Sequence, residues 1–276
     1  MKNLLIKDIK NFNITEHCLL INSSQKGSLL LDWNKISVNN LKIVVENNVQ
    51  LEVLELNDKE DSVIDFVIND DSSVLYNIFS SKEAFSSTRN FYLNKNARLD
   101  VAVADFSNGK KTFNAKVDLL NVHSEVYWHL ACLSKDDDNK TFLVNFNHEV
   151  GETVAKMENY GVCKDSSTLN FLGDAVIKQG AKKSKTNQSA KIMVFDKTCH
   201  AKASPKLCIY ENDVEASHGA SEGQINPEHV FYLTSRGIEE ELAKRLITLG
   251  YLYPIMKFFP NEELRKEIEE CIVNKV

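Results

Sequence analysis

From Leu41 to Tyr210 apolar and polar residues alternate in short runs, among them LKIVV, LEVLEL, SVIDFVI, RLDVAVADF, TFNAKVDLL, EVYWHLACL, TFLVNF and TLNFLGDAVI, with polar turns between them. A period of two places every second side chain on the same face of a strand, and the 3.6-residue period of a helix is almost nowhere sustained in this region. The runs begin near Arg98, Thr112, Glu125, Thr141, Thr153 and Thr168, a roughly even spacing that suggests stacked coils. Two architectures satisfy it: an antiparallel sandwich, or a parallel β-helix in which each coil covers its neighbour's apolar side. A sandwich should show tight Asn-Gly or Asp-Gly hairpin turns. Asn108-Gly109 is the only good one, and Lys135 to Asn139 is longer and charged.

The two ends differ from this body. Residues 1–40 read as a short N-terminal segment of brief strands around Leu4, Leu19 and Leu29, residues 41–224 as the β core, and 225–276 as a small helical domain. Pro205 to Glu215 reads as a last strand, after which Ser217 to Gly223 breaks the pattern. Asn226-Pro227-Glu228 then supplies a helix start: an N-cap, a proline at the first helical position and a carboxylate in the first turn. Arg236-Gly237 ends that helix. The next, from Glu239 to Leu249, places Leu242, Leu246 and Leu249 on one face and Glu240, Lys244 and Thr248 away from it. Tyr251 to Phe259 is a dense apolar patch suited to packing the helices onto the β body or to docking a partner. Asn261 caps a final helix with Leu264, Ile268 and Ile272 as its stripe.

Composition narrows the class. With 276 residues, 43% of them hydrophobic and 26% charged, the chain is ordinary globular material, and no apolar run approaches the ~20 residues of a spanning helix. Lys7, Asp8 and Lys10 interrupt any signal-peptide core, so the expected compartment is the cytoplasm, with no membrane association. A net charge of −6 argues against nucleic acid as a partner, and the basic run Lys178 to Lys185 reads as a solvated turn. There is no phosphate-binding glycine loop, so no nucleotide is expected on this chain. Six cysteines without a C-x-x-C pair are expected to be reduced thiols.

The stretch Ser204 to Gly250 carries more. Asp213-Val214 with Ser217-His218-Gly219-Ala220, then Phe231-Tyr232-Leu233 with Ser235-Arg236-Gly237-Ile238, then the helix from Glu239, resemble the C-terminal signature of the SufB/SufD family, scaffold proteins of iron-sulfur cluster assembly. Phe171-Leu172-Gly173 and Gln188 extend the resemblance upstream. It implies a mainly β fold, a right-handed parallel β-helix, with a small C-terminal α-helical domain that covers one end. It also implies a non-catalytic, SufD-like subunit that pairs with a SufB-like scaffold or with a second copy of itself. A SufC-type ABC ATPase would dock on the helices through Phe231, Tyr232, Arg236, Gly237, Leu242 and Leu246. The cargo would be a transient iron-sulfur cluster at the subunit interface, with flavin in the complex as it is for some relatives.

His218 stands where SufD-type members have a histidine implicated in cluster assembly. Ser189, beside Gln188, stands where SufB-type members carry a sulfur-accepting cysteine, so sulfur acceptance is not expected there. Cys199, His200 and Cys208 are the nearest further candidates, each thiol being either a buried structural group or an interface ligand. Three other readings compete. Gly219 to Gly223 spells G-x-S-x-G but lacks the strand-to-helix context of a nucleophile elbow. His123, Glu125 and His129 fall on one face of a strand and suggest a metal site. Asp100, Asp105 and Asp118 would serve a β-solenoid carbohydrate-active enzyme.

Overall fold

The structure, a computed structural model, describes residues 18–21 and 26–276, together with the backbone of 5–7 and 12–14. Strands alternate between two sheets. β4 (Lys26–Asp32), β6 (Gln50–Leu56), β8 (Ser73–Ser80), β10 (Arg98–Asp105), β12 (Glu125–Ser134), β14 (Val154–Cys163), β16 (Lys185–Val194) and β18 (Glu215–Gln224) line up in parallel in the first sheet. β3 (Cys18–Ile21), β5 (Asn40–Val45), β7 (Ser62–Ile68), β9 (Ser87–Leu93), β11 (Lys110–Leu119), β13 (Asn139–His148), β15 (Thr168–Ile177) and β17 (His200–Ile209) form the second. β1 (Leu5–Lys7) and β2 (Phe12–Ile14) add antiparallel edges to β4 and β3. Each coil therefore gives one strand to each sheet, which makes the molecule a parallel β-solenoid. The parallel ladders already run through β3 and β4, ahead of the boundary expected near residue 40.

Inward residues of the two sheets meet in a single core. Phe66, Tyr76 and Phe91 pack edge to face or tilted, and Phe113, Trp128, Phe142 and Phe171 continue the stack. Burying side chains of this size stabilises the fold by about 1.5–3 kcal/mol each. One of the turns between strands recurs with the same backbone: Asn48, Asp71, Asn96, His123, Glu152 and Lys183 all have positive φ. Their amides donate to the carbonyls of Asp70, Lys95, Val122, Glu152, Lys182 and Asp213, each in the next coil. The coils are thus joined through their corners as well as through their strands. Asn and Asp tolerate this left-handed conformation better than other side chains; the later coils place His, Glu and Lys there.

Charges are buried at another corner. Asp105 accepts from Lys111 and, at 2.7 Å, from Lys140, while Lys111 also reaches Asp58 at 2.7 Å. Burial opposes the charge on Asp105, but the two ammonium groups hold its carboxyl well below the usual range. A second knot joins Arg89, Glu55, Tyr76 and Trp33, with the Trp33 Nε1 donating to Glu55 at 2.6 Å. Asp105 is therefore a structural anion. Asp100 is held by Arg98 at 2.7 Å, and Asp118 by Lys116 at 2.8 Å and Asn147 at 2.7 Å. The three carboxylates proposed for a carbohydrate enzyme are engaged in these pairs. The run Lys178 to Lys185 is a turn whose charges meet neighbouring coils: Lys178 pairs with Glu149, Lys183 with Glu152 and Lys185 with Glu215.

The C-terminal helices are α1 (Pro227–Thr234), α2 (Glu240–Leu252), the short 3-10 helix Tyr253–Phe258, and α3 (Glu262–Lys275). They do not cap the end of the solenoid. They lie along the outer face of the first sheet, where Phe79, Ala102, Ala104, Ala131, Leu133 and Val162 meet Leu252, Ile255, Met256, Phe259, Ile268 and Ile272. The last residues of β8, β10 and β12 are buried on both faces for this reason. The Tyr251–Phe259 patch mainly packs the helices onto the β body, although Tyr253 remains exposed. None of the helices is long and apolar enough to cross a membrane among the described residues.

Removing Asp105 leaves two buried ammonium groups short of their shared counter-ion, and Asp105→Asn is expected to destabilise the protein by about 3–5 kcal/mol in urea unfolding. His148 gives a pH signature. It is fully buried, its Nδ1 lies 2.7 Å from the Thr153 hydroxyl, and burial pushes its pKa down to about 4. The unfolded chain protonates this ring near 6.5, so the stability it contributes is complete above that pH and is lost as pH falls from 6.5 towards 4, by about 3 kcal/mol. His148→Gln should flatten the fall in the urea midpoint between pH 7 and pH 4.5; an unchanged slope would show that other groups set it.

Candidate functional site

The last coil is where the solenoid's repeat stops. β17 and β18 are ten-residue strands that each pair on one side only, β17 with β15 and β18 with β16. Ser217 to Gly223, expected from the sequence to break the β pattern, is the middle of β18. Among the described residues no coil covers it, so its inward row needs no apolar residues, and alternation disappears although the backbone stays extended. The G-x-S-x-G run lies within this strand, with Ser221 exposed and no helix after it until Pro227. That is not a nucleophile elbow.

His218 pairs in register with Gln188, as Ala220 does with Ala190 and Glu222 with Ile192. Gln188, Ala190 and Ile192 are buried inside the solenoid. His218 and Glu222 thus continue an inward row beyond the last covered coil, and both are exposed at its mouth. Glu222 accepts from the Ala203 amide across the mouth, and Gln188 Nε2 donates to the Lys206 carbonyl at 3.3 Å. Beneath lies Gly173, where an added Cβ would stand 2.9 Å from Met157 Cε and 3.3 Å from Gln188 Oε1. Gln188 and His218, scattered in the sequence, are thus vertical neighbours in the first sheet, and Gly173 of β15 faces Gln188 from the second sheet just beneath the mouth.

The other predicted ligands are not assembled around His218. Cys208 pairs with Val176, on the opposite face of β17 from Ala203 and Leu207, which pack towards the core. Cys199 lies in the turn before β17, half-buried, and His200 is exposed at the first position of that strand. Ser189, paired with Gly219, belongs to the outward row. Among the described residues no three His, Cys, Asp or Glu side chains are placed to hold a metal ion. The histidine pair proposed on β12 also separates: His123 sits in the preceding turn at positive φ, 3.4 Å from Glu152. His129 stacks on Phe258 with ring centroids 3.9 Å apart and is 3.4 Å from Glu158. Burial lowers the His129 pKa from its usual value.

A second surface adjoins the mouth. α1 has no buried residue, and Phe231, Tyr232, Leu242 and Leu246 are 73, 57, 48 and 44% exposed. The Arg236 guanidinium lies over the Tyr232 ring at 5.1 Å, and Gly237, at φ +86°, turns the chain from α1 into α2. The face of α2 turned inward is Ala243, Thr248 and Leu252. The sequence expected Thr248 outside; its hydroxyl donates to the Lys244 carbonyl at 2.9 Å, which satisfies it in the interior. Between α1, α2 and the outer face of β16 and β18 runs a cavity of about 660 Å³, lined by Met193, Gly223, Tyr232, Leu233, Leu246 and Tyr251 among others. It keeps α1 away from the sheet.

These features define a class: a parallel β-solenoid with an uncovered last coil and a flanking helical unit that exposes an apolar patch. Residues 28–251 match the family described as SUF system FeS cluster assembly, SufBD core domain, and the chain belongs to that family. It is 26% identical over 218 residues to the iron-sulfur cluster assembly protein SufD of Bacillus subtilis, covering 78% of this chain and 50% of that protein. With the SufD of Escherichia coli it shares 28% identity over 131 residues, 48% of this chain and 30% of the other. A SufBD family protein of Pyrococcus horikoshii is 36% identical over 114 residues, 40% and 25% of the two chains. The chain spans half or less of the length of these relatives.

Because Phe231 is 73% exposed and Leu246 44%, Phe231→Ser and Leu246→Ser are expected to cost no more than about 1 kcal/mol. Leu252→Ser, at a fully buried position, should cost several times as much. Thermal unfolding of the three variants separates an unused surface from a structural one.

Proposed function

We propose that this chain is a SufD-like scaffold subunit in iron-sulfur cluster assembly, with the cluster as its cargo. The observation that carries the proposal is the uncovered last coil with His218 at its mouth, within a chain of this family. A SufB-like scaffold, or a second copy of this chain, pairs with the open edges of β17 and β18, since unpaired amides and carbonyls along ten-residue strands are ready hydrogen-bonding partners for another strand. His218, Cys199, His200 and Cys208 then meet groups from the partner, and the cluster's remaining ligands come from there. Neutral imidazole at His218 ligates iron or relays a proton beside a thiolate.

The α1–α2 patch takes a SufC-type ABC ATPase. Exposed aromatic and leucine side chains beside an arginine have the composition of an interface core. Hydrolysis takes place in that partner, and this chain passes its motion to the mouth through α1, Asn226 and β18, which are continuous in sequence. The chain itself acts as a scaffold rather than as a catalyst, and its compartment is the cytoplasm.

Two substitutions test the parts separately. Phe231→Glu combined with Leu246→Glu should weaken co-elution with a SufC-type ATPase from the same organism by at least about 100-fold, because two buried apolar anchors are lost, while pairing with a SufB-like chain persists. His218→Ala should leave both associations intact and lower cluster formation by the assembled complex. Normal cluster formation by His218→Ala would remove that residue from the mechanism, and unchanged ATPase binding by the double variant would remove the patch.

A further inference from the structure

Cys163 and Cys199 come from neighbouring coils and meet at one corner. Cys163 ends β14 and is fully buried in the core; Cys199 lies in the turn that leads into β17 and packs half-buried against the same core. Both thiols address a single turn. Cys163 Sγ donates to the Ser167 carbonyl at 3.3 Å and lies 3.2 Å from the Ser167 hydroxyl, and Cys199 Sγ donates to the Asp165 carbonyl at 3.6 Å. The Cys163 thiol and the amide of the residue after Cys199 share one acceptor, the Ser167 carbonyl, so the two cysteines stand at the same corner. The backbone fixes them from both sides: the Phe195 amide donates to the Cys163 carbonyl at 2.9 Å, and the His200 amide to the Ser167 carbonyl at 2.9 Å.

We propose that Cys163 and Cys199 form a redox-modifiable pair that closes to a disulfide on exposure to a hydroperoxide and fastens the last coil to the one before it. The asymmetry of the site assigns the roles. Cys199 is the thiol that solvent reaches. Its sulfur attacks the terminal peroxide oxygen, the S–O bond forms as the O–O bond breaks, the Cys199 thiol proton passes to the departing oxygen, which leaves as water or alcohol, and the sulfur is oxidised to the sulfenic acid while the peroxide is reduced. Cys163 then attacks the Cys199 sulfur; the S–S bond forms, the S–O bond breaks, and the hydroxide leaves as water with the Cys163 proton. In total two thiols and one hydroperoxide molecule give one disulfide, one water from the sulfenic acid, and a second water or an alcohol from the peroxide. Cys163 is fully buried, so peroxide in solution does not reach it and its reaction partner is the sulfenic acid formed beside it.

The closed form ties Thr198–His200, the entry to β17, to the end of β14. β17 and β18 are the strands whose outer edges are open, so the bond acts on the part of the solenoid with the fewest neighbours. The inference concerns the chain's own thiols and does not depend on the role proposed for the protein.

The test uses the full chain, fully reduced and then treated with stoichiometric hydrogen peroxide, followed by non-reducing digestion and mass spectrometry. The expected product is a linked peptide pair containing Cys163 and Cys199, two hydrogens lighter than the free peptides and restored by dithiothreitol, with the thermal midpoint of the oxidised protein raised by about 5 °C or more. Cys163→Ser, with Cys163→Ala as a second variant should the first fail to fold, should instead accumulate a dimedone-reactive sulfenic acid at Cys199. Cys199→Ser should leave Cys163 unmodified. Oxidation confined to Cys208 or Cys271, a disulfide joining Cys199 to another partner, or no oxidation at Cys199 would each overturn the proposal. Equal dimedone labelling of Cys199 in wild type and in the Cys163 variants would overturn it as well.

Discussion

A single coil of this chain cannot bury its own apolar face or pair its own strands; only the next coil does both. The rest of the molecule follows from that constraint. It sets the inward alternation of Leu51, Val53, Val74, Tyr76, Leu99 and Val101, whose partners lie directly above and below. It also requires that corners stack as faithfully as strands, which the column of positive-φ residues from Asn48 to Lys183 achieves by passing one hydrogen bond from coil to coil. The buried ions reinforce the same register. Lys111 joins Asp58 and Asp105, and Lys140 adds a third coil to the set. Slipping any of these coils would strand a charge in the core, an error larger than most packing errors.

The outer face of the first sheet is the exception to one-sided burial, and small residues make it possible. Ala102, Ala104 and Ala131 keep the surface low enough for Leu252, Ile255, Met256 and Phe259 to seat on it. Polar contacts then fix the position. Lys275 binds Asp138 at 2.7 Å, Lys164 holds the Val276 carbonyl, and Asn77 Nδ2 reaches the Phe258 carbonyl at 3.0 Å. Attachment is concentrated in the second half of the helical unit, from Leu252 onward. α1 and the outer face of α2 are carried by it and left clear of the sheet.

Much of this was legible from sequence, and the misses share a cause. The even recurrence of short β runs marked the coils, and Asn226-Pro227 and Asn261 marked helix starts where the structure has them, each with its side chain accepting from a first-turn amide. What local pattern does not carry is which surface an element meets. β18 is hydrophilic because nothing covers it, so it looked like a break in the β pattern. α2 has two moderately apolar faces, and its leucines suggested the buried one when Ala243 and Thr248 form it. The stacked corners were hidden because three of the six left-handed positions are His123, Glu152 and Lys183, none of them a turn residue by type. Gly173, Gln188 and His218 were visible as scattered motif fragments, but only the register shows that Gln188 and His218 are vertical neighbours, and only the meeting of the two sheets brings Gly173 against Gln188.

The two open surfaces differ in chemistry in a way that their backbones explain. A strand edge is recognised through amides and carbonyls, so its side chains must above all not obstruct, and β18 satisfies this with Ala216, Ser217, Gly219, Ala220, Ser221 and Gly223. A helix has no free backbone groups along its length and is recognised through side chains alone, and α1 and α2 present large ones in Phe231, Tyr232, Leu242 and Leu246. His218 and Glu222 stand out on β18 because everything around them is small. A partner strand laid along that edge comes within reach of both without displacing a neighbour, whereas the same two residues within a covered coil would have to be buried as Gln188 and Ile192 are. The termination of the stack is therefore what makes a polar, accessible row available at the end of an otherwise apolar column.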